Sequence, residues 1–231
     1  MYPLVILAGG KATRLGKIAQ NIPKCLIPVA GKPFLNWQLE YIKNQNIREV
    51  YICSGWLSDK IENHIDSLSY LDLNINIIPD GSQLLGTGGA IQNILGRLSE
   101  NFFVLYGDTY LPIDFKKVED YHKNNNMRDL LTIYKNNGKL DQSNIIYKDN
   151  AIIKYSKKNN DRNMKFIDYG LSIMSKKSFN SYGKKNNFDL SDMYEYLVSK
   201  KLLNSYLVNE RFYEIGTPIS LMETEKYMRE L

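Results

Sequence analysis

The sequence is poor in the residues that form disulfides, zinc sites and nucleophilic catalytic groups. It contains two cysteines, Cys25 and Cys53, without CxxC spacing, and two histidines, His64 and His122. This cysteine content fits free thiols in a reducing compartment and offers no zinc site. Both histidines fall in predicted helices away from the motifs described below, so we expect them to be packed or solvent-exposed side chains without a catalytic role.

Long apolar segments are also missing. The longest apolar runs, such as FFVLY at 102–106, are far shorter than the ~20 residues that a membrane-spanning helix requires. The N-terminus enters a strand-like run at once and lacks the basic region and the small-residue cleavage site of a secretory signal. We therefore expect no membrane association and a cytoplasmic location.

No basic stripe marks the chain as a nucleic-acid-binding protein. Lys and Arg total 30 against 25 Asp and Glu, a formal net charge of +5, but the lysines are spread along the chain without interleaved aromatics. A mild excess of lysine suits an anionic small substrate, and it equally suits an ordinary solvated surface. With 43% hydrophobic and 24% charged residues, the composition is typical of a globular domain.

In the first half of the chain, apolar runs of strand length alternate with segments of helical periodicity. We predict strands at 2–8, 48–55, 73–80 and 101–108, and helices at 33–46, 58–68, 88–98 and 115–125. Strands separated by helices are typical of a parallel sheet, whose ligands bind at the carboxyl ends of the strands. The stretches LAGG at 7–10 and YGD at 106–108 stand at two such ends.

The pattern changes after residue 125. We predict strands at 129–136, 144–157 and 168–175, a hairpin turn at 148–150, a loop at 157–165, helices at 190–201 and 220–231, and the last strands within 204–216. We expect an α/β fold with a mostly parallel central sheet flanked by helices, and a small additional β region that forms a lid. The whole chain, 1–231, is predicted to be a single domain.

The stretch LAGGKATRLG at 7–16 follows the first predicted strand. Glycines there let backbone N–H groups approach a ligand, and the N-terminus of a following helix adds partial positive charge. Lys11 and Arg14 add formal charge, and Thr13 adds a hydroxyl donor. The loop is therefore a candidate phosphate cradle, although such residues also form ordinary strand-to-helix turns.

A second stretch, IPKCLIPVAGKPFL at 22–35, is punctuated by three prolines. Lys24 lies between Pro23 and the buried-type run CLIPV, which would fix its backbone. A lysine held in this way can serve as a second charge on a polyphosphate. Taken alone, it would be an ordinary surface lysine.

Together the two stretches resemble the N-terminal signature of the sugar-1-phosphate nucleotidyltransferases, LAGGxxTRL followed by PKxLxPVxGKPFL. That family joins a sugar phosphate to a nucleoside triphosphate with loss of pyrophosphate. Further motifs follow in the family's order: LGTGGAI at 85–91, YGD at 106–108, DYGLSI at 168–173 and EIGTPISL at 214–221. The resemblance implies a Rossmann-like nucleotidyltransferase fold, with a nucleotide-binding half at 1–125 and a sugar-phosphate-binding half at 126–231.

The resemblance also implies roles for individual residues. Arg14, Lys24 and Asp108 would be catalytic, and Asp108 and Glu214 would hold Mg²⁺. The implied nucleotide-binding residues are Leu7, Ala8, Gly9, Gly10, Lys11, Thr13, Arg14, Lys24, Asp80, Gln83, Gly86, Thr87 and Gly88. The implied sugar-phosphate-binding residues are Asp108, Lys157, Lys158, Asp168, Tyr169, Gly170 and Glu214.

Several positions depart from the family pattern or leave alternatives open. Ser156 stands where the family often has a glutamate, so the phosphate-gripping lysine is either Lys157 or Lys158. Tyr169 could instead be a core aromatic. Ala12 replaces a usual glycine, and its Cβ leads us to expect a backbone outside the strongly left-handed region unless the loop is strained. Glu214 replaces the more common aspartate.

The nucleotide base and the sugar are the least determined part of the resemblance. The motifs are similar to those of the short bacterial heptose 1-phosphate guanylyltransferases and N-acetylmuramate 1-phosphate uridylyltransferases. Asp80 can accept from a guanine N–H, and Gln83 can donate or accept, which suits several bases. We predict a guanylyltransferase acting on a heptose or mannose-type 1-phosphate for capsule or lipopolysaccharide precursors. A uridylyl- or cytidylyltransferase for another sugar or a non-sugar phosphate, an inactive binding protein, and a monomer or homodimer are left open.

Overall fold

The computed structural model describes residues 1–68, 72–81, 83–136, 140–159, 161–183 and 187–231. Its seven described α-helices are α1 Phe34–Asn44, α2 Ser58–Asp66, α3 Gly86–Ile94, α4 Phe115–Asn124, α5 Lys176–Tyr182, α6 Leu190–Ser199 and α7 Pro218–Arg229. The strands are β1 Leu4–Leu7, β2 Pro28–Val29, β3 Lys32–Pro33, β4 Glu49–Ser54, β5 Asn74–Pro79, β6 Asn101–Tyr106, β7 Thr109–Tyr110, β8 Leu130–Lys135, β9 Ile145–Lys148, β10 Ala151–Tyr155, β11 Phe166–Ser175, β12 Asn204–Val208 and β13 Tyr213–Glu214. Short 3₁₀ helices cover Thr13–Ala19, Lys24–Leu26 and Leu95–Arg97.

A nine-stranded sheet forms the centre of the molecule. Strands β5, β4, β1 and β6 run parallel in that order, β11 lies antiparallel between β6 and β8, and β12 pairs parallel with β8. The β9–β10 hairpin joins at the start of β11, where Phe166 pairs with Ile145. The predicted α/β fold with a central sheet flanked by helices is confirmed, and the sheet is mixed, with four parallel and four antiparallel strand pairs.

Helices cover both faces of the sheet, which explains why its central strands are apolar throughout. All four residues of β1 are buried, as expected for a parallel strand packed on two sides. Helices α1, α2 and α4 pack on one face through residues such as Leu39, Ile61 and Val118. Helices α3 and α6 pack on the other face through Ile91 and Met193.

In the second half of the chain, the observed bounds of the strands and helices differ more from the predicted ones. The predicted turn at 148–150 is a two-residue hairpin loop in which Asp149 and Asn150 have φ angles of 51° and 59°. The predicted strand region 204–216 divides into β12 and β13. Helix α5, which no prediction covered, begins after Ser175, whose side chain accepts from the N–H of Ser178. Residue 160 of the predicted loop lies outside the described residues.

The histidines and cysteines have packing roles. His122 is buried with its Nδ1 3.3 Å from the Tyr2 hydroxyl, and His64 Nε2 lies 2.6 Å from Asn36 Oδ1. Cys25 and Cys53 are buried free thiols, and burial raises the pKa of each to about 12. Within the described ranges, no helix combines the length and apolar character needed to cross a membrane.

Candidate functional site

Two adjoining clefts open at the carboxyl edge of the parallel strands. The first has a volume of about 360 Å³ and lies between the loop after β1, the end of β5 and the start of α3. The second has a volume of about 380 Å³ and lies beside β11 and β13. Arg14, Tyr106 and Asp108 line both clefts and therefore mark their junction.

Most of the sequence-predicted residues line one of these clefts. The first cleft is lined by Leu7, Ala8, Gly9, Gly10, Thr13, Arg14, Lys24, Asp80, Gly86, Thr87 and Asp108 from the predicted set. The second is lined by Arg14, Asp108, Lys157, Asp168, Tyr169, Gly170 and Glu214 from that set. Four predicted residues line neither of these two clefts: Lys11, Gln83, Gly88 and Lys158.

The loop after β1 turns sharply at Ala12. The φ angle of Ala12 is 48°, and the N–H of Leu15 donates to the Ala12 carbonyl at 3.0 Å, which starts the first 3₁₀ helix. The Ala12 backbone is therefore left-handed, which is the strained alternative of the two that the sequence analysis allowed. The turn geometry prevails over the Cβ clash, which costs about 1–2 kcal/mol for a non-glycine residue.

Lys24 and Asp108 form an ion pair where the two clefts meet. The short 3₁₀ helix after Pro23 presents Lys24, and the turn after β6 presents Asp108. The Lys24 side chain is 13% exposed and that of Asp108 30%. Burial by itself would raise the pKa of Asp108, but the Lys24 ammonium and the Thr109 hydroxyl hold it below its usual range. Asp108 is therefore ionised at neutral pH.

Glu214 reaches the same junction through a small two-stranded sheet. Strand β13 pairs antiparallel with β7, so that Glu214 lies opposite Thr109, and the N–H of Ile215 donates to the Asp108 carbonyl at 3.0 Å. This pairing places two acidic residues, 108 and 214, on adjacent backbone segments. Both line the second cleft.

Gly216 occupies a crowded point that the sequence analysis did not single out as a site residue. A Cβ at this position would lie 3.1 Å from Arg14 Nη2 and 3.3 Å from Lys24 Nζ, and closer still to Glu214 Oε2. The N–H of Gly216 also donates to that Glu214 oxygen. The absence of a side chain at 216 therefore lets two cations and a carboxylate converge.

The second cleft is built around Asp168. The Asp168 carboxylate accepts from the hydroxyls of Tyr106 at 3.3 Å and Tyr155 at 3.2 Å, and from the N–H of Gly170 at 3.0 Å. Lys157 Nζ lies 3.3 Å from the Tyr106 hydroxyl and 4.8 Å from the centre of its ring. A carboxylate and an ammonium thus face one cleft, with the Tyr106 hydroxyl between them.

The neighbouring lysine points elsewhere. Lys158 Nζ donates to Asp192 Oδ1 of helix α6 at 2.7 Å, and its side chain is 70% exposed. Of the two lysines, one lines the second cleft. Lys157 is that residue.

Tyr169 serves as both a core aromatic and part of the cleft wall. It is 1% exposed and makes an edge contact with Phe212, with ring centroids 5.8 Å apart. Its hydroxyl has no hydrogen-bond partner among the described residues. Tyr169 is therefore a core aromatic, and its role in sugar binding stays a prediction.

The carboxylates of Asp80 and Asp189 also line the first cleft. Asp80 Oδ2 accepts from the N–H of Leu85 at 3.1 Å, and burial raises the pKa of Asp80 above its usual value. Gln83 is exposed beside it, and Gly88 packs against the Phe188 ring. The sequence analysis missed Asp189, which also lines this cleft. Only its position before a predicted helix could have drawn attention to it.

Comparison with known proteins agrees with this architecture. Residues 4–124 match the family model described as a MobA-like NTP transferase domain. A D-glycero-alpha-D-manno-heptose 1-phosphate guanylyltransferase of Campylobacter jejuni is 28% identical over 93% of this chain and 94% of its own length. An N-acetylmuramate alpha-1-phosphate uridylyltransferase of Neisseria meningitidis is 35% identical over 48% of each chain.

Among solved structures, HddC from Yersinia pseudotuberculosis complexed with GMP-PN superimposes with a TM-score of 0.83 at 26% identity. The match covers 99% of this chain and 100% of that one. The family model spans the elements from β1 to α4, which include Arg14, Lys24 and Asp108. Since that match covers more than half of the chain, the protein belongs to the MobA-like NTP transferase family.

Proposed function

We propose that this protein transfers a nucleotidyl group from a nucleoside triphosphate to a sugar 1-phosphate, giving a nucleotide sugar and pyrophosphate. The observation that carries the proposal is the pair of adjoining clefts whose shared wall bears Arg14 and Asp108, with Lys24 on Asp108. Two clefts of similar volume suit two substrates, and cations at their junction suit the phosphates that must meet there. The printed names of the Campylobacter and Neisseria relatives support the same reaction class.

The reaction needs alignment and charge neutralisation more than proton transfer. The second pKa of a phosphate monoester is about 6, so the attacking oxygen of a sugar 1-phosphate is already ionised at neutral pH. That oxygen forms a bond to the α-phosphorus while the bond from the α-phosphorus to the bridging oxygen breaks, and pyrophosphate leaves with the electron pair. No general base is required, in agreement with the packing roles of His64 and His122.

The two substrates are both polyanions and repel each other, and the cationic side chains would neutralise this repulsion. Arg14 and Lys24 would hold the triphosphate at the junction, because a guanidinium and an ammonium stabilise the charge that builds up on the α-phosphoryl group. Lys157 in the second cleft would hold the phosphate of the sugar and direct its oxygen. Asp168, which lines the second cleft, would accept hydrogen bonds from sugar hydroxyls.

Asp108 and Glu214 fit a divalent cation such as Mg²⁺. Their carboxylates supply the hard oxygen ligands that Mg²⁺ prefers, and the pairing of β7 with β13 holds them side by side. Within the described residues no group of three or more His, Cys, Asp or Glu could hold a metal ion. Two carboxylates together with substrate phosphates form a usual Mg²⁺ site. The charge of a bound Mg²⁺ would offset the negative charge that develops on the leaving pyrophosphate.

We infer guanine as the preferred base and a heptose or mannose-type sugar as the preferred acceptor. Asp80, which lines the first cleft, can accept from a base N–H, and guanine offers both a ring N–H and an amino group. The Campylobacter relative, whose match covers nearly all of both chains, is named as a guanylyltransferase. Uridine is the second candidate, because the Neisseria relative is named as a uridylyltransferase.

The decisive experiment is a matrix of the four nucleoside triphosphates against sugar 1-phosphates with Mg²⁺, followed by pyrophosphate release. We expect the highest turnover with GTP and a heptose or mannose 1-phosphate, and loss of turnover on adding EDTA. Folded protein that releases no pyrophosphate from any pair would refute the proposed function. Highest turnover with UTP would refute only the assignment of the base.

A further inference from the structure

The first turn of helix α6 is capped in an unusual way. Asp189 is the N-cap residue of α6, yet its side chain accepts no hydrogen bond from the backbone of that turn. Asp114, the N-cap residue of α4, shows the ordinary arrangement, in which the carboxylate accepts from the N–H groups of Lys116 and Lys117. Asp189 is therefore a residue of the type that usually caps a helix, but its carboxylate does not cap α6.

A residue from another helix replaces the missing cap. The N–H of Leu190 donates to Thr87 Oγ1 at 2.8 Å, and the Thr87 hydroxyl lies 3.4 Å from Asp189 Oδ1. Thr87 belongs to the first turn of α3. Because Thr87 accepts from the α6 backbone, the Asp189 carboxylate keeps most of its acceptor capacity for other groups.

The position of Asp189 is fixed by contacts between α3 and the segment before α6. The N–H groups of Gly88 and Gly89 donate to the Phe188 carbonyl at 3.0 and 3.2 Å, and the N–H of Phe188 donates to the Leu85 carbonyl at 3.2 Å. Gly88 leaves space for the Phe188 ring, which a Cβ there would meet at 2.2 Å. These bonds hold the Asp189 carboxylate against the wall of the first cleft.

The charge of Asp189 restricts what it can bind. An ionised carboxylate accepts hydrogen bonds and donates none, and it repels phosphate. In a cleft where Arg14 and Lys24 serve phosphates, Asp189 suits a neutral donor. Asp189 shares the first cleft with Tyr106 and Asp108, which also line the second cleft.

We infer that Asp189 is a specificity residue that accepts a hydrogen bond from a hydroxyl group of a bound substrate, with Thr87 as its positioning residue. The hydroxyl belongs either to the ribose of the nucleotide or to the sugar 1-phosphate, since Asp189 lines the first cleft, which adjoins the second. A site built to hydrogen-bond a hydroxyl rejects the analogue that lacks it, because the carboxylate is then left desolvated without a partner. The inference rests on the proposed function.

The test measures selectivity in wild type and in Asp189→Ala. GTP is compared with 2′-deoxy-GTP and 3′-deoxy-GTP, and D-mannose 1-phosphate is compared with its 2-deoxy and 3-deoxy forms, using kcat/KM for pyrophosphate release. A hydrogen bond to a charged group corresponds to roughly a tenfold to hundredfold preference. We expect wild type to prefer one hydroxylated substrate over its deoxy form by that factor, and Asp189→Ala to lose the preference. The hydroxyl that Asp189 binds is the one for which the preference over the deoxy form is lost in Asp189→Ala.

Two further variants separate recognition from folding. Glu195→Ala removes an acidic side chain from the same helix at a position that lines neither cleft, and it should keep the wild-type selectivity. Asp189→Asn preserves the size of the side chain and should lose part of the preference if the alanine variant fails to fold. Unchanged selectivity in a folded Asp189 variant, with only a uniform fall in rate, overturns the inference.

The failure of the proposed function would look different. If wild type releases no pyrophosphate from any pair, equilibrium binding of the same nucleotides and sugar phosphates still reports the hydroxyl preference. Tighter binding of a hydroxylated form that disappears in Asp189→Ala supports the inference without turnover. Equal binding of all forms by wild type contradicts it.

Discussion

Lys24 and Asp108 form an ion pair across 84 positions of sequence, at the point where the two clefts meet. The pairing fixes the position of both side chains, and the low exposure of the Lys24 side chain limits the other conformations that it can adopt. Any ligand that enters the junction must therefore meet an ammonium and a carboxylate that are already in place.

Replacing Asp108 should abolish most of the activity without unfolding the protein. In Asp108→Asn the side chain keeps its shape but loses the charge that would hold Mg²⁺, so we expect kcat to fall by about a hundredfold or more. The measurement is pyrophosphate release together with circular dichroism. Asp120→Asn, on the exposed face of α4, is the matched control and should retain activity. Near-normal turnover in Asp108→Asn would disprove the catalytic assignment.

A methyl group at Gly216 should disturb the junction more than the fold. The added Cβ would displace the Glu214 carboxylate and press on Arg14 and Lys24. We expect Gly216→Ala to lose about tenfold to a hundredfold in kcat/KM, because small misplacements of catalytic groups have large kinetic effects. Gly96→Ala is the control, since a Cβ at Gly96 meets nothing within 4 Å. If both variants behave alike, the crowding at 216 has no functional meaning.

The two adjacent lysines should differ in their effect on the sugar phosphate. Lys157 faces the second cleft, whereas Lys158 pairs with Asp192 on α6. We expect Lys157→Met to raise KM for the sugar 1-phosphate about tenfold or more, and Lys158→Met to change it by less than about twofold. Steady-state kinetics with varied sugar phosphate decide the matter. A larger effect at Lys158 would reverse the assignment.

Glycine at position 12 should stabilise the protein. The left-handed backbone of Ala12, with a φ angle of 48°, costs about 1–2 kcal/mol that glycine avoids, partly offset by the greater entropy of glycine in the unfolded chain. We expect Ala12→Gly to raise the free energy of unfolding by about 0.5–1 kcal/mol in urea titrations. A decrease in stability would show that the Ala12 methyl contributes more through packing than it costs in strain.

Asp129 should make stability depend on pH. Its carboxylate is 2% exposed, and burial raises its pKa to about 6, although Ser178 and Ser175 lower it in part. Since the folded-state pKa lies above the unfolded value of 3.8, the folded protein binds the proton more tightly. The contribution of Asp129 to the free energy of unfolding is therefore fully present below about pH 4, and it is lost as the pH rises through about 6.

The variant Asp129→Asn isolates this effect. We expect it to be more stable than wild type at pH 7–8, by up to about 3 kcal/mol for a shift of about two pKa units, and the advantage should shrink towards pH 4. Urea unfolding at several pH values measures it. A constant difference across the pH range would mean that Asp129 does not titrate as its burial indicates.

Much of the fold and the first cleft could be predicted from the sequence. The parallel strands are continuous apolar runs because both of their faces are buried, so β1, β4 and β6 stand out by composition alone. The glycines after β1 and the acidic residue after β6 mark strand ends, and these ends lie at one edge of any parallel sheet. Local patterning was therefore enough to place Arg14 and Asp108 near one edge of the sheet, whereas Lys24 was assigned to the same region only through the resemblance to the family.

The tertiary structure decided what depends on contacts between distant segments. Pairing of β13 with β7 brings Glu214 beside Asp108, and nothing near either residue in the sequence encodes that register. Lys157 lines the second cleft while Lys158 pairs with Asp192 of α6, and the freedom of the Asp189 carboxylate follows from a cap supplied by Thr87. The sequence by itself determined which chemical groups stand at the strand ends, because burial and turn formation are local. Which of those groups face the same cleft was decided by long-range packing and hydrogen bonding.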